Sequence, residues 1–98
     1  MKKCYIAGKI TGTNDFKERF KDAEWEVTLM GMIAVNPTTL PHNHDKEWQS
    51  YMKECIAELV KCDAVYMLQG WLNSDGARLE RSIADSLRME VYLEGSIL

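Results

Sequence analysis

Short apolar runs alternate with longer helical patterns along this chain, and the alternation restricts the fold more than any other feature. Four runs have the length and composition of buried strands, at residues 2–7, 32–37, 63–68 and 89–94. Apolar residues recurring at intervals of three and four between them indicate helices over about 15–30, 46–60 and 75–88. This order predicts a parallel sheet with right-handed crossovers and helices on both faces. We therefore expect an α/β fold, a small three-layer doubly wound parallel sheet of four to five strands, flavodoxin-like or Rossmann-like.

The length of the chain limits it to one domain and makes self-association a fair expectation. Its 98 residues, 46% of them hydrophobic, are enough for a single core and leave no room for a second. A domain of this size is only marginally stable alone, so we expect a homo-oligomer, a dimer or larger. The formal charge of −3, with scattered Lys and Arg, argues against binding a nucleic-acid duplex. Any nucleotide ligand is expected to be a small molecule.

The cysteine content and the hydropathy of the sequence indicate the cellular compartment in which we expect the protein. The three cysteines, Cys4, Cys55 and Cys62, are odd in number and lie within apolar patterns. No basic stretch followed by an apolar run precedes the first strand, so we expect a reduced, cytoplasmic protein. No run approaches the roughly 20 apolar residues of a membrane span, and we expect no membrane partner.

Two loops of unusual composition follow strands one and three, whose carboxyl ends lie at the same edge of a parallel sheet. The first is GKITG, residues 8–12, in which Gly8 and Gly12 permit a tight path. It lacks the G-x-G-x-x-G spacing and the P-loop spacing, so it signals neither dinucleotide nor triphosphate binding. Lys9 and Thr11 can bond an anion, or the segment is only a tight strand-to-helix turn.

The second loop, GWLNSDG at residues 70–76, leads into the third helix. Asn73, Ser74 or Asp75 can cap that helix, whose free amide groups and positive dipole end form a site for a phosphate. Gly76 is expected to keep the helix N-terminus open. Glu80 lies about one turn further along, within reach of a ligand held there. The alternative is that Glu80 is a solvated helix acid that pairs with a neighbour such as Arg81.

Three segments together resemble a known family. YIAGKITG, CDAVYMLQGW and NSDGARLE, with the NP after strand two and the W that opens helix two, are similar to small proteins related to nucleoside 2-deoxyribosyltransferases, and most to the short members of that family. The likeness extends from Tyr5 to the last strand. It implies cleavage or transfer at the N-glycosidic bond of a deoxynucleoside or its 5'-monophosphate, with no cofactor and no metal.

The resemblance also implies roles for individual residues. Glu80 matches the nucleophile that attacks the anomeric carbon and forms a covalent glycosyl-enzyme, and Tyr5 matches a tyrosine that orients this carboxylate. Ser74 and Gly76 match positions that bind the 5'-phosphate in relatives acting on monophosphates. The catalytic residues we expect are therefore Glu80 and Tyr5. The substrate-binding residues we expect are Gly8, Lys9, Ile10, Thr11, Gly12, Trp71, Ser74 and Gly76.

The chain departs from the family pattern at two positions. An aspartate that assists the leaving base in active relatives falls on Cys55, and a thiol is a weak donor that cannot serve as the same carboxylate. Thr11 stands where some monophosphate hydrolases have an arginine, although Lys9 offers a charge in the same loop. The first departure keeps open a rival hypothesis, a catalytically lapsed nucleotide-binding module.

Other features have ordinary structural interpretations. His42 and His44 form H-x-H beside Asp45, but no third ligand cluster appears, so a polar loop is favoured over a metal site. Trp71 can stack on a base, anchor its loop or fill a subunit interface. Trp25 and Trp48 are interpreted as core or interface residues. A purely structural domain is disfavoured, because the glycines and Ser74 all occur at the same end of the sheet.

Overall fold

The computed structural model of the protein describes residues 1–40 and 47–95, and within them strands and helices alternate as the sequence predicts. The strands are β1 (Lys3–Ala7), β2 (Ile33–Val35), β3 (Ala64–Met67) and β4 (Glu90–Leu93). The helices are α1 (Phe16–Leu29), α2 (Trp48–Leu59) and α3 (Asp75–Ser86). Two segments expected to be loops contain short 3-10 turns, at Pro37–Thr39 and Trp71–Asn73. Such turns are too short to leave a periodic signal in the sequence.

The strands form one parallel sheet in the order β2-β1-β3-β4. Tyr5 in β1 lies opposite Val35 on one side and Val65 on the other, so β1 is flanked by both neighbours. The chain runs from β1 to one edge and then returns to β3 on the other side of β1. This reversal places a topological switch point between the carboxyl ends of β1 and β3, where α/β sheets bind their ligands. The predicted α/β fold class is confirmed.

Helices cover both faces of the sheet. On one face α1 buries Phe20, Ala23 and Val27 against β1 and β3. On the other face α2 and α3 bury the residues Cys55, Leu59, Ala77 and Ala84. Because β1 and β3 are central, their residues are buried on both faces from Cys4 to Ala7 and from Ala64 to Met67. Tyr5 of β1 belongs to the core cluster on the face covered by α2 and α3.

Two large apolar residues, Trp25 within α1 and Met30 at its C-terminal end, do not lie in the core. Trp25 is 65% exposed and Met30 is 43% exposed. Trp25 is two residues from both Ala23 and Val27, which places it about 200° around the helix from each of them. The start expected for the second helix, at Asp45 or Lys46, and the H-x-H pair of His42 and His44 lie outside the described residues.

Two further observations concern the burial of the cysteines and the length of the helices. Cys4, Cys55 and Cys62 are buried free thiols. Among the residues that the structure describes, none of the helices has the length and apolar character needed to cross a bilayer.

Candidate active site

A cavity of about 700 Å³ opens at the carboxyl ends of the central strands. Its walls come mainly from β1, the loop that follows it, α2 and the N-terminal half of α3. A volume of this size suits a small organic ligand. The cavity lies at the switch point of the sheet, where the two glycine-containing loops of the sequence meet.

Glu80 and Tyr5 form a buried hydrogen-bonded pair in this cavity. The Tyr5 hydroxyl donates to Oε2 of Glu80 at 2.5 Å, and the two residues are 0% and 5% exposed, respectively. Burial raises the pKa of Glu80 to about 7, and the hydrogen bond from Tyr5 opposes that rise. Burial, with the nearby Glu80 charge, keeps the pKa of Tyr5 well above its ordinary value, so Tyr5 stays protonated. Tyr5 is thus always a donor in this pair, and the Glu80 carboxyl group that accepts from it is partly ionised at neutral pH.

The orientation of α3 decides between the two interpretations of Glu80. The helix buries Gly76, Ala77, Glu80 and Ala84 on the side that faces the sheet. Arg81, the partner suggested for a solvated Glu80, pairs instead with Asp85 at 3.1 Å, one turn along the same helix. Glu80 is therefore an inward-facing acid among apolar residues, an arrangement that costs folding free energy.

The N-terminus of α3 lies at the wall of the cavity. Oγ of Ser74 accepts a hydrogen bond from the backbone N–H of Ala77 at 3.1 Å, so Ser74 is the N-cap. Asn73, Asp75 and Gly76 also line the cavity. Gly76 is buried, and a Cβ at this position would lie 2.9 Å from Sδ of Met52. Its lack of a side chain thus lets α2 pack closely on α3, besides leaving the N-terminus open.

The loop after β1 forms the opposite wall through Gly8, Lys9, Ile10 and Thr11. A Cβ at Gly8 would lie 2.7 Å from Cδ1 and 2.9 Å from Cβ of Leu68. Only glycine fits there without moving the loop away from the end of β3. The loop is therefore held against the sheet at the point where it borders the cavity.

The structure brings together most of the residues predicted for the site. The predicted residues that line the cavity are Tyr5, Gly8, Lys9, Ile10, Thr11, Ser74, Gly76 and Glu80. Gly12 has a positive φ of 80° and turns the chain beyond the cavity. Trp71 is partly buried against the core cluster that α2 and α3 form with the sheet, outside the lining of the cavity, and the Arg81 guanidinium lies 5.2 Å from its ring centroid. That position fits the anchoring interpretation of Trp71.

Cys55, which the family resemblance placed at the site, lines the cavity, but sequence reasoning missed the other α2 residues that line it, Trp48, Tyr51 and Met52. These residues recur at intervals of three and four, so the periodicity placed them on one face of the helix without showing that a cavity lay against that face. Trp48 is 48% exposed, so it borders the cavity and is not a core residue. Two aromatic side chains of α2 thus lie beside the proposed ligand site.

Cys55 lies at the position where the family resemblance implies an aspartate. Burial raises the pKa of its thiol to about 11, although hydrogen bonds with Tyr5 and Tyr51 act to lower it. The thiol is therefore protonated at neutral pH. Within residues 1–40 and 47–95 no group of three or more His, Cys, Asp and Glu side chains is arranged to hold a metal ion.

Comparisons with known proteins identify a family and a shared fold. The sequence pattern of a family described as a domain of unknown function, DUF4406, matches residues 2–93. A comparison with curated protein sequences finds no match. Among solved structures, the 2-deoxyribosyltransferase of the psychrotolerant bacterium Bacillus psychrosaccharolyticus has a TM-score of 0.70 and 17% identity over 98% of this chain and 76% of its own. That enzyme is described as a biocatalyst for the synthesis of antiviral and antitumoral nucleosides. The resemblance predicted from the sequence is confirmed for the fold.

Proposed function

Since the chain belongs to the DUF4406 family and has the fold of a 2-deoxyribosyltransferase, we propose that it cleaves or transfers at an N-glycosidic bond. The substrate we propose is a deoxynucleoside or its 5'-monophosphate. The observation that carries the proposal is the buried pair of Tyr5 and Glu80, joined at 2.5 Å in a cavity of small-molecule size. A buried acid with a raised pKa in a cleft is typical of a catalytic carboxylate.

The pair is suited to nucleophilic catalysis. Tyr5 holds Oε2 of Glu80, and Oε1 is the oxygen that we propose attacks C1' of the sugar. The C1'–O bond to Glu80 forms while the C1'–N bond breaks, and the base leaves with the electron pair and takes up a proton from water. Water, or a second base, then attacks C1' and releases the Glu80 carboxylate. Hydrolysis and transfer differ only in this second step.

The N-terminus of α3 supports a 5'-phosphate on the substrate. Five to six residues separate the start of the helix from Glu80, a rise of about 8 Å along the axis. This is the scale of the sugar and phosphate of a nucleotide. The amide groups at Asp75 and Gly76 are among those left without helical acceptors at a helix N-terminus, where the dipole also favours an anion. A phosphate held there would place C1' beside Glu80.

Cys55 supports a second candidate, a nucleotide-binding module without efficient chemistry. A protonated thiol is a weak donor and does not match a carboxylic acid in protonating a leaving base. The cavity and the α3 N-terminus would still bind a nucleotide. This candidate predicts binding without turnover.

One experiment separates the two candidates. The protein is incubated with deoxynucleosides, their 5'-monophosphates and the matching ribonucleosides, while free base is followed by chromatography and binding by thermal shift. Base release from a deoxy compound supports the enzyme and identifies its substrate. Thermal stabilisation without base release supports the binding module, and the absence of both responses would contradict each candidate.

A further inference from the structure

The peptide group of Gln69, where the chain leaves β3 for the loop before α3, is bonded on both sides by charged side chains. Its N–H donates to Oε1 of Glu94 at 2.8 Å, and its carbonyl accepts from Nη2 of Arg19 at 2.7 Å. The same Arg19 nitrogen lies 3.4 Å from Oε1 of Glu94, so the three groups close a ring. Arg19 belongs to α1, and Glu94 directly follows β4. We call the ring of Arg19, Gln69 and Glu94 the Gln69 clamp.

The two bonds to this peptide differ from ordinary surface contacts. The side chains of Arg19 and Glu94 are only 28% and 29% exposed, respectively. A hydrogen bond with one ionised partner is about twice as strong as a neutral one, whereas a partly exposed ion pair such as Arg19–Glu94 contributes little by itself. The backbone N–H of Glu94 also donates to the carbonyl of Met67 at 2.9 Å. Glu94 therefore holds the chain at the end of β3 through both its backbone and its carboxylate.

A row of turns connects the clamp to the wall of the candidate active site. Gln69 and Gly70 are exposed, so packing fixes them only weakly. Beyond them, the N–H groups of Trp71, Asn73 and Ser74 each donate to the carbonyl three residues earlier, at 3.0 to 3.1 Å. Asn73 and Ser74 line the cavity. The position of the Gln69 peptide therefore sets the position of this wall.

The opposite wall of the cavity also begins beside the clamp. Leu68 precedes Gln69, and its N–H donates to the carbonyl of Ala7 at 2.8 Å. Its side chain packs against Gly8, where a Cβ would lie 2.7 Å from Cδ1 of Leu68. Both loops that border the cavity thus meet at the residues that the clamp holds.

We propose that Arg19 and Glu94 are positioning residues, which hold the loop of residues 69–74 in the shape that receives the ligand. The inference rests on the proposed function, since it concerns a ligand bound at the N-terminus of α3. Neither side chain lines the cavity, so both act through Gln69. A loop that is ordered before binding loses less conformational entropy when the ligand arrives. Loss of the clamp should therefore weaken binding and leave the reacting carboxylate of Glu80 unchanged.

The clamp is tested by amide hydrogen exchange, measured by NMR without ligand. In Glu94→Ala the amides of Asn73 and Ser74 should exchange about tenfold faster relative to the amide of Val65, since one charge-assisted hydrogen bond is lost. Val65 lies in the central strand β3, and its exchange reports global unfolding. The ratio of the two rates thus separates release of the loop from a general loss of stability. An unchanged ratio in the folded Glu94→Ala protein would overturn the inference.

Three further variants make this measurement specific. Glu94→Gln keeps an acceptor for the N–H of Gln69 and should reverse most of the increase. Arg19→Met removes the bond to the carbonyl, should raise the ratio in the same direction, and covers the case in which Glu94→Ala does not fold. Glu90→Ala is the matched control, because Glu90 is an acid paired with Lys2 at the other end of β4. An equal increase in the Glu90→Ala and Glu94→Ala proteins would also overturn the inference.

The same variants distinguish failure of the clamp from failure of the proposed function. If the protein releases base, KM in Glu94→Ala should rise by about five- to tenfold while kcat stays within about twofold, and Glu94→Gln should restore KM. Faster exchange with an unchanged KM would contradict the positioning role. Faster exchange without base release in any variant, together with weaker nucleotide binding in calorimetry, would uphold the clamp and contradict the enzymatic function. Base release that depends on Glu80, with exchange and KM both unchanged, would contradict the clamp alone.

Discussion

At the scale of single residues, the fold gives up stability to keep Glu80 inside. Its pKa of about 7 lies above the ordinary value of 4.5, so the folded protein binds a proton more tightly than the unfolded chain. The contribution of Glu80 to the free energy of unfolding is fully present below the unfolded pKa of 4.5, and it is lost as the pH rises through the folded pKa of about 7. A difference of this size corresponds to about 3 kcal/mol above neutral pH. Such a cost is typical of functional sites.

Glu80→Gln removes the charge and keeps an acceptor for Tyr5. We expect the free energy of unfolding at pH 8 to rise by about 2 to 3 kcal/mol, and the gain to vanish at about pH 3, below the unfolded pKa of 4.5, where Glu80 is protonated in both states. Urea denaturation of both proteins at several pH values measures this difference in the free energy of unfolding. Glu58→Gln, which changes a partly exposed acid paired with Lys61, should alter stability by less than about 0.5 kcal/mol throughout. A Glu80→Gln protein less stable than the wild type at pH 8 would contradict this account.

Tyr5→Phe removes the donor that favours the ionised form of Glu80. A hydrogen bond to a charged group is worth about 1.5 to 3 kcal/mol, so the pKa of Glu80 should rise by about one to two units. Base release at pH 7 should fall by about tenfold or more and recover in part at pH 9, in a pH profile of kcat. Tyr66→Phe is the matched control, because Tyr66 is buried on the α1 face of the sheet. Equal losses at pH 7 and pH 9 would assign Tyr5 a role other than tuning Glu80.

At the scale of elements, the N-terminus of α3 is expected to combine a structural cap with a phosphate site. Ser74→Ala loses the bond to the N–H of Ala77, which should cost about 1 kcal/mol of stability. Affinity for a deoxynucleoside 5'-monophosphate should also fall by about fivefold or more, while affinity for the nucleoside stays nearly constant. Calorimetric titration with both ligands measures the difference, and Ser82→Ala, an exposed change within α3, is the control. Equal losses for the two ligands would contradict a phosphate site there.

Periodicity predicted the strands, the helices and their order, because burial in a parallel sheet leaves a clear apolar pattern. Periodicity did not show that Trp25 is exposed, because the sequence of a helix with several apolar residues does not reveal which of them face the sheet. The contribution of Tyr51 and Met52 to the cavity depends on how closely α2 approaches α3, which the absence of a side chain at Gly76 permits. The sequence left Glu80 with two interpretations, and only the packing of α3 against Tyr5 decided between them.

At the scale of the whole molecule, the sheet order brings the two glycine-containing loops to one cavity, and the outer surface retains large apolar side chains. Among the described residues, Trp25, Leu29, Leu72 and Leu87 are more than half exposed. With a core of this size, such a surface supports the expectation of a homo-oligomer. We predict a dimer or larger species in sedimentation, with a melting temperature that rises with protein concentration. A monomer with a concentration-independent melting temperature would contradict it.

We propose Glu80 as the nucleophile of an N-glycosidic reaction. The most direct test of this proposal is the rate of base release at pH 8 by the wild type, Glu80→Gln and Glu58→Gln, with the substrate that the ligand panel identifies. We predict that Glu80→Gln lowers the rate by at least about a thousandfold while it still folds and binds, since the loss of a nucleophile is not replaced by an amide. Glu58→Gln should keep the wild-type rate. Base release that continues at the wild-type rate in the folded Glu80→Gln protein would contradict the account.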